Sequence, residues 1–322
     1  MKVVPLVKLL SSLALGVLFT DCGGSQAPIG APRAMPQSRA IASHGARGGS
    51  WMRPDVSGRN LLYTSSDDIV DVYTYPGGKL VGSLGTFNGA EGLCVDKAGD
   101  VFVTSFYDHA VYEYAHGGTK QLAALKSPYS VNACSVDPAT QNVAASSYYG
   151  AIIFPYNRKR QEYRLAKYYH NANVYFGWYC TYDKAGNLFE DGTTDQNSGF
   201  VLTELRNGSP AFDTITVNED INGPGAMQWK NGDLTVADRG SSSGQPAVIY
   251  SFSISGSEGT EVGAARLADS MAYAMFWIQG GKVIGPEAGS TGGIGVWRYP
   301  SGGNPSKSIV GAAPYGVVVS LK

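Results

Sequence analysis

A short strand–turn–strand phrase recurs along this chain and constrains the fold more than any other feature. The phrase reads GLCVDKAGDVFVTS from Gly92, and related phrases begin at Ala133, Tyr179, Gly225 and Ala274. Each combines an apolar run, a polar turn with Gly or Asn, and a second apolar run. Units this short cannot cover both faces of their sheets alone, so they must pack on one another, as the blades of a β-propeller do.

A second apolar motif alternates with this phrase, as in VYTYPGGK and VYEYAHGG, and it gives the period of the repeat. Successive motifs are 39, 42, 49, 47 and 47 residues apart, counted between the anchors Val72, Val111, Ile153, Leu202, Ile249 and Val296. The period and the paired strands predict an all-β fold over residues 55–322, a six-bladed β-propeller with four-stranded blades.

The two ends of the repeat region complement each other. The last apolar run, YGVVVSL at 315–321, has no turn and strand after it, whereas DVSGRNLLYTSS at 55–66 is a turn and a strand with no run before it. We therefore predict that the C-terminal strand pairs with the N-terminal strands in one blade. This pairing would close the ring and protect strand edges from aggregation.

The N-terminus is typical of an export signal. Two lysines give it positive charge, and LLSSLALGVLF at 9–19 suits the apolar core of a signal peptide. The following TDCGG resembles the bacterial lipoprotein signal, in which the cysteine is lipidated, although Asp21 stands where that pattern has a small residue. We predict a signal peptide over 1–22 with Cys22 as the lipobox cysteine, and hence a protein anchored by lipid to the bacterial envelope or secreted.

Composition bounds the environment and the partners. Residues 23–54 are rich in Gly, Ala, Pro and Ser, which predicts a flexible tether. Charged residues are 16% of the chain and the net charge is −1, so a nucleic-acid partner is not expected. We expect a monomer that meets the membrane only through its lipid anchor and binds an unknown protein or a small-molecule or carbohydrate ligand.

The strand–turn–strand phrase followed by an aromatic VYEY strand resembles six-bladed propellers of the NHL-repeat type over residues 55–322. The likeness to gluconolactonase and senescence-marker propellers is more distant. These resemblances imply two functions. We favour a binding or interaction scaffold that acts through one loop face and needs no cofactor. The alternative is a calcium-dependent lactonase or hydrolase of the gluconolactonase type.

The more distant relatives hold a divalent cation at the mouth of the central channel with a Glu, an Asn and an Asp. Glu91 and Asn132 begin consecutive inner strands and would supply two of these oxygen ligands. The third would be one of Asp220, Asp238 and Asp269. The phrase EGLC lacks the proline of that family's opening phrase, and the alternative interpretation of Glu91 is a solvated loop carboxylate.

The loops on one face vary in length, whereas the turns on the other are short and alike, which indicates that the variable face carries function. A stacking platform for a sugar or another planar ligand could form there from Tyr168, Tyr169, Tyr175, Trp178 and Tyr179, or half of these rings could fill the space between blades. Tyr169, Tyr175 and Trp178 are the three residues to test. His109 and His170 lie on the same face. Streptogramin-lyase propellers, which this scaffold resembles, use histidine as a general base, and a solvated loop histidine is the alternative.

Three cysteines lie on successive inner strands. Cys94 is two residues before its turn aspartate, whereas Cys134 and Cys180 are three residues before theirs. Because successive side chains face opposite ways, Cys94 and Cys134 could face each other and form a disulfide in an exported protein. Buried free thiols are the alternative. No CxxC, HExxH, GxSxG or phosphate-binding loop motif occurs, so zinc and these hydrolase chemistries are not indicated.

Overall fold

The computed structural model describes residues 49–195, 199–239, 246–271, 275–288 and 293–322. These residues are almost entirely strand, turn and loop, and their only helix is the three-residue 3-10 turn Pro54–Val56. This confirms the all-β prediction. The predicted signal peptide, Cys22 and most of the predicted tether lie outside the described residues.

The strands form antiparallel units, which we number along the chain; unit one has five strands and the sheet of each other unit has four. Unit one contains β1 (Trp51–Met52), β2 (Leu61–Ser66), β3 (Ile69–Thr74), β4 (Leu80–Gly85) and the last strand, β27 (Gly316–Ser320). Unit two contains β5 (Ala90–Val95), β6 (Val101–Ser105), β7 (Ala110–Tyr114) and β8 (Gln121–Lys126).

Unit three carries an extra hairpin that the repeat did not predict. Its sheet contains β9 (Val131–Val136), β10 (Val143–Ser147), β11 (Gly150–Phe154) and β14 (Lys167–His170), and the hairpin pairs β12 (Tyr156–Asn157) with β13 (Glu162–Tyr163). Unit four contains β15 (Phe176–Tyr182), β16 (Leu188–Thr193), β17 (Val201–Leu205) and β18 (Asp213–Val217).

Units five and six continue the pattern with longer outer strands. Unit five contains β19 (Pro224–Lys230), β20 (Asp233–Asp238), β21 (Ala247–Ser255) and β22 (Glu258–Leu267). Unit six contains β23 (Trp277–Gln279), β24 (Lys282–Pro286), β25 (Ile294–Arg298) and β26 (Gly302–Ile309). β22 also makes short parallel contacts with β18 and β26.

Unit one joins both ends of the described chain. β27 pairs antiparallel with β2, with Ser320 opposite Leu61 and Gly316 opposite Ser65. β1 pairs with the outer strand β4, so Trp51 and Met52 belong to the sheet. The boundary placed between residues 54 and 55 is therefore corrected, because the apolar Trp51 and Met52 add a fifth strand to unit one.

The turn within the first strand pair of a unit is held by an aspartate side chain. Asp96 Oδ1 accepts hydrogen bonds from the backbone N–H groups of Ala98 (2.9 Å) and Asp100 (2.8 Å). Asp183 makes the same pair of bonds in unit four. Gly99 has φ +89°, a conformation that residues with a Cβ adopt only at a cost, which explains the glycine in the DKAG phrase.

Neighbouring units pack through their apolar faces. Each cluster of buried apolar side chains in the described residues contains members of two consecutive units, and one cluster joins units six and one through residues such as Ile284 and Val317. The first strand of a unit is β27 in unit one and the strand that begins the sheet in each other unit: β5, β9, β15, β19 and β23. Each of these strands contacts the first strand of the next unit, and β23 of unit six contacts β27 of unit one. No described helix has the length and apolarity that crossing a bilayer requires.

A disulfide joins the first strands of units two and three. The Cys94 and Cys134 Cα atoms are 5.6 Å apart, within the range that a disulfide can bridge. Cys180 is a buried free thiol. Burial raises the pKa of the Cys180 thiol well above its usual value, so it stays protonated and packs as a small apolar group.

Candidate functional site

Aromatic side chains concentrate at one edge of units three and four, where three connections meet. These are the β8–β9 loop, the β10–β11 turn and the β14–β15 loop. We call this cluster the aromatic surface, and it consists of Tyr129, Tyr148, Tyr149, Tyr168, His170, Tyr175, Phe176 and Trp178. It lies on the face with variable loops, which the sequence indicated as functional.

The unit-three half of the aromatic surface is built around Tyr168. Its ring centroid lies 5.0 Å from that of Tyr129 and 6.4 Å from that of His170. The Tyr168 hydroxyl donates to the backbone carbonyls of Tyr148 (3.1 Å) and Tyr149 (2.8 Å). His170 Nδ1 also lies 3.1 Å from the Tyr149 carbonyl oxygen. The outer strand β14 therefore fixes the position of the β10–β11 turn.

The unit-four half continues as a series of tilted and edge-on rings. Tyr149 and Tyr175 meet edge to face with centroids 5.3 Å apart, and Tyr148 and Phe176 do the same at 4.3 Å. Phe176 then contacts Trp178 at 4.5 Å. These are favourable aromatic geometries, and they hold the rings without closing all of their faces.

Arg239 lies at the end of the series, at the C-terminal end of β20. Its guanidinium carbon is 4.5 Å from the centroid of the Trp178 ring, a cation–π arrangement. A positive charge is therefore held against the aromatic surface at the border of units four and five.

Tyr149 is an exposed member of the aromatic surface, on the β10–β11 turn. It has φ +60°, which is uncommon for a residue with a side chain, and 44% of its surface is exposed. Its hydrogen bond with the Tyr175 side chain raises the pKa of Tyr149, and the pKa of Tyr168 is raised to about 12, mainly by burial. Both tyrosines therefore stay neutral at physiological pH and add no charge to the aromatic surface.

A buried polar cluster lies directly beneath the aromatic surface. Asn171 is 1% exposed, and its Nδ2 atom donates to Glu190 Oε2 (3.1 Å) and to Thr203 Oγ1 (2.9 Å). Glu190 and its neighbour Asp191 are both fully buried. Asp191 accepts from the backbone N–H groups of Tyr179 (2.9 Å) and Gly225 (3.2 Å), which compensates its burial.

The structure separates the three aromatic residues singled out in the sequence. Tyr175 and Trp178 belong to the aromatic surface, whereas Tyr169 packs among apolar side chains of units three and four. Strand alternation explains this, since Tyr168 and Tyr169 point to opposite faces of β14. The sequence included Tyr168 among the platform candidates but not Tyr129, Tyr148 or Tyr149, which come from the β8–β9 loop and the β10–β11 turn. Tyr179, the remaining candidate, packs against buried apolar clusters of units four to six.

The two candidate histidines have different surroundings. His170 is exposed and belongs to the aromatic surface through its ring nitrogen and Tyr168. His109 is exposed at the β6–β7 turn with φ +50°, and its backbone carbonyl accepts from Ser127 N. The two therefore belong to different loops.

The structure places the predicted calcium ligands in different surroundings. Asn132 is buried and its Nδ2 atom donates to the Gly177 carbonyl at 2.7 Å. Glu91 is partly buried, and burial followed by repulsion from Asp67 raises the pKa of its carboxyl. Asp238 instead receives hydrogen bonds from Asn222 and Gly223. Within the described ranges, no three or more His, Cys, Asp and Glu side chains cluster as a metal site would need, and the calcium site stays a prediction from sequence.

A cavity of about 180 Å³ lies among the first strands of the units. It is lined by residues of all six of these strands, among them Leu93, Ala133, Cys180, Ala226, Trp277 and Val317. The lining is mostly apolar and includes the disulfide. The described residues that line this cavity form no cluster of catalytic groups.

No protein-family model matches the sequence, and no curated protein matches it. Solved structures do match. One is a chain of a nidogen/laminin complex, with 9% identity, coverage of 81% of this chain and 98% of that chain, and a TM-score of 0.58. Another is a protein of unknown function from Bacteroides caccae, with 11% identity, coverage of 82% and 100%, and a TM-score of 0.59.

These likenesses and the repeated antiparallel units define the class: the chain has a β-propeller fold. The similarity at such low identity concerns the fold alone.

Proposed function

We propose that this chain is an exported six-bladed propeller whose ring is closed in unit one, and that it binds a ligand on its variable loop face. Three observations support closure. β27 pairs with β2, the first strands contact one another in a cycle, and a buried apolar cluster joins units six and one. The N-terminal sequence supports export and lipid attachment at Cys22.

The aromatic surface carries the proposal of binding. Tyr149 is exposed on a two-residue turn that Tyr168, His170 and Tyr175 hold in place. A rigid turn that presents an exposed ring loses little conformational entropy when a ligand binds. We therefore infer a binding scaffold that takes its ligand across units three and four.

Carbohydrate is the ligand class that fits this surface best. Sugar rings present apolar C–H faces that pack on aromatic rings, and their hydroxyl groups pair with tyrosine hydroxyls. The rings are tilted relative to one another by 45–84°. Stepped faces of this kind suit the successive sugars of an oligosaccharide better than a single flat molecule.

The test uses neutral oligosaccharides as probes, namely hexamers of glucose, N-acetylglucosamine, xylose and mannose. Titration calorimetry of the protein from residue 49 onward should find binding to at least one of them. Tyr149→Ala should weaken it at least tenfold, because this substitution removes the exposed ring and a hydroxyl. Tyr107→Ala is the matched control, since Tyr107 is exposed at another loop (66%) and lies outside the aromatic surface.

Either of two results would overturn the carbohydrate proposal. The first is the absence of heat or chemical-shift change with every probe at millimolar concentration. The second is equal weakening by Tyr149→Ala and Tyr107→Ala, which would place any binding elsewhere on the loop face.

A further inference from the structure

Glu190 occupies a position that is apolar in neighbouring units. On the second strand of its unit, Glu190 is two residues after Leu188, which lies opposite the last residue of β15. By the same register, the matching residues are Val103 on β6 and Ala145 on β10. All three are fully buried. A carboxyl group at such a position carries a large desolvation cost, so it is expected to have a specific role.

The two oxygens of Glu190 have different surroundings. Oε2 accepts a hydrogen bond from Asn171 Nδ2, whereas Oε1 is buried without a partner. Oε1 lies against Gly177, because a Cβ placed on Gly177 would be 2.6 Å from it and 2.7 Å from the Ser147 carbonyl oxygen. Oε1 and the Ser147 carbonyl oxygen therefore border the same space beside Gly177, and both are acceptors.

A carboxylate anion does not suit this environment, and a carboxylic acid does. An anionic Oε1 would share the space beside Gly177 with the Ser147 carbonyl oxygen, and among the described residues no donor bonds to it. A protonated Oε1 can instead donate towards that carbonyl, while Oε2 keeps the hydrogen bond from Asn171. Burial raises the pKa of the Glu190 carboxyl to about 8, which also favours the protonated form.

Among the described residues, the titratable groups that interact with Glu190 carry no positive charge. Tyr168 on β14, Cys180 on β15 and Asp191 on its own strand all interact electrostatically with Glu190. Each of these is neutral or negative. Asn171, from the β14–β15 loop, is the polar group that favours the ionised form, through its hydrogen bond.

Glu190 connects to both loops that form the centre of the aromatic surface. The Asn171 N–H donates to the Tyr149 carbonyl at 2.7 Å, and Asn171 Oδ1 accepts from Asn173 N at 3.2 Å. Asn171 therefore fixes the turn that carries Tyr149 and the loop that leads to Tyr175. The acid lies below, between Asn171 and the carbonyl of Ser147, the residue before that turn.

We propose that Glu190 is a positioning residue, a buried neutral carboxylic acid that links the Asn171 loop to the Ser147–Tyr149 turn and so sets the shape of the aromatic surface. Its ionisation separates the two loops, because the anion repels the Ser147 carbonyl. The effect on ligand binding rests on the proposed function, but the protonation and its effect on the loops do not.

Two ligand-free measurements test the proposal on wild type and Glu190→Gln. Infrared difference spectroscopy between pH 6 and 9 should show the carbonyl band of a buried protonated carboxylic acid that disappears at high pH and is missing in Glu190→Gln. Amide chemical shifts of Tyr149 and Asn173 should move over the same pH range in wild type only, because the neutral glutamine amide can donate towards Ser147 at every pH. Glu162→Gln, at an exposed glutamate, is the matched control and should behave as wild type.

The binding experiment adds the functional consequence. If only the neutral form binds, oligosaccharide affinity in wild type should fall about tenfold from pH 6 to 9, as expected for a group that titrates near pH 8. In Glu190→Gln it should stay constant. Wild type and Glu190→Gln with the same pH profile would overturn the effect on binding. Absence of the acid band at pH 6, or no pH-dependent shift at Tyr149 and Asn173, would overturn the proposal itself. If the acid band and the chemical-shift changes are observed but no oligosaccharide binds, only the proposed function is contradicted.

Discussion

Thr104 Oγ1 donates a hydrogen bond of 2.6 Å to the backbone carbonyl of Asn132, so a side chain of unit two holds the first strand of unit three. Ser146 Oγ makes the matching bond to the Trp178 carbonyl at 2.8 Å, and Ser65 Oγ bonds the Glu91 carbonyl. A hydroxyl at one position of the second strand thus fastens three successive units to the next. In unit four, Asp191 takes this place and accepts from Gly225 N.

Thr104→Val should lower the free energy of unfolding by about 1–3 kcal/mol. Valine keeps the shape but leaves the Asn132 carbonyl without this donor and Gly92 N without the Thr104 oxygen as its acceptor, in a buried site. Urea denaturation measures the change. Thr119→Val, at an exposed threonine, is the control and should stay within about 0.5 kcal/mol of wild type. Equal stability of the two variants would show that the hydroxyl does not fasten the units.

Ser135→Cys should create a second disulfide, with Cys180. Ser135 is two residues before Asp137 and Cys180 is three before Asp183, the same placement as Cys94 and Cys134. Ser135 already faces the next unit, since its hydroxyl accepts from Tyr182 N at 3.0 Å. Titration of thiols in the denatured, unreduced variant should find one free thiol fewer than in wild type. Without the new bond it would find one more than in wild type. Ser135→Ala is the control for loss of the hydroxyl, and retention of both thiols would refute the shared geometry.

Reduction should destabilise the protein through the Cys94–Cys134 bond. The two residues are 40 apart in sequence, and in the chain-entropy model a loop of this length is worth about 4 kcal/mol. Cys94→Ala with Cys134→Ala should unfold at lower urea concentration than wild type. A reductant should shift the urea midpoint of wild type towards that of the double variant and leave the midpoint of the double variant unchanged. A urea midpoint that changes neither with the reductant nor with the double substitution would contradict this prediction.

Glu190→Gln should change how stability depends on pH. In the folded protein the Glu190 pKa is raised to about 8 from 4.5, so the folded state binds its proton more tightly than the unfolded state does. The wild type therefore loses stability as the pH rises from about 4.5 to about 8, by about 1.4 kcal/mol for each pH unit within that range. The stability of Glu190→Gln relative to wild type should rise across this range and level off above it. Subtracting the two curves cancels the other carboxylates, and a flat difference would contradict a raised pKa.

Lipid attachment at Cys22 is tested in the native host. The full-length protein should incorporate a radioactive fatty acid, and Cys22→Ser should not, because the lipid is joined to that thiol. Cys180→Ser is the control, since Cys180 is buried in the folded unit. Incorporation of the fatty acid by Cys22→Ser would contradict lipid attachment at Cys22. An unlabelled wild type whose mature N-terminus is not Cys22 would also contradict it, and secretion would remain as the alternative.

The strand pattern could be predicted from sequence because each unit repeats the same local instructions. The turn aspartates, the glycine at 99 and the alternating apolar runs specify strand pairs without reference to distant contacts. β1 was missed because two residues carry too little periodicity, and the β12–β13 hairpin was missed because it interrupts the repeat. The pairing of residues 316–320 with residues 61–65 was predicted from the two incomplete ends of the repeat region, and the structure confirms this pairing.

The candidate site was predicted only in part, for a geometric reason. Aromatic residues are visible in a sequence, but which of Tyr168 and Tyr169 reaches the surface depends on the register of β14 against β11. Tyr149 and Tyr129 come from other connections and join the surface only in three dimensions. Glu190 could have been found from the sequence, because it stands where the second strands of units two and three have the apolar residues Val103 and Ala145. An alignment of the second strands would have shown this difference.

The pairing of β27 with β2 also determines when the fold can be completed. Units two, three and four are each built from one continuous segment, so their hairpins can form while the rest of the chain is still being made. The innermost strand of unit one is β27, which follows every other described strand along the chain. Unit one therefore keeps an open edge until this strand pairs with β2, and a pairing between residues so far apart in sequence forms slowly.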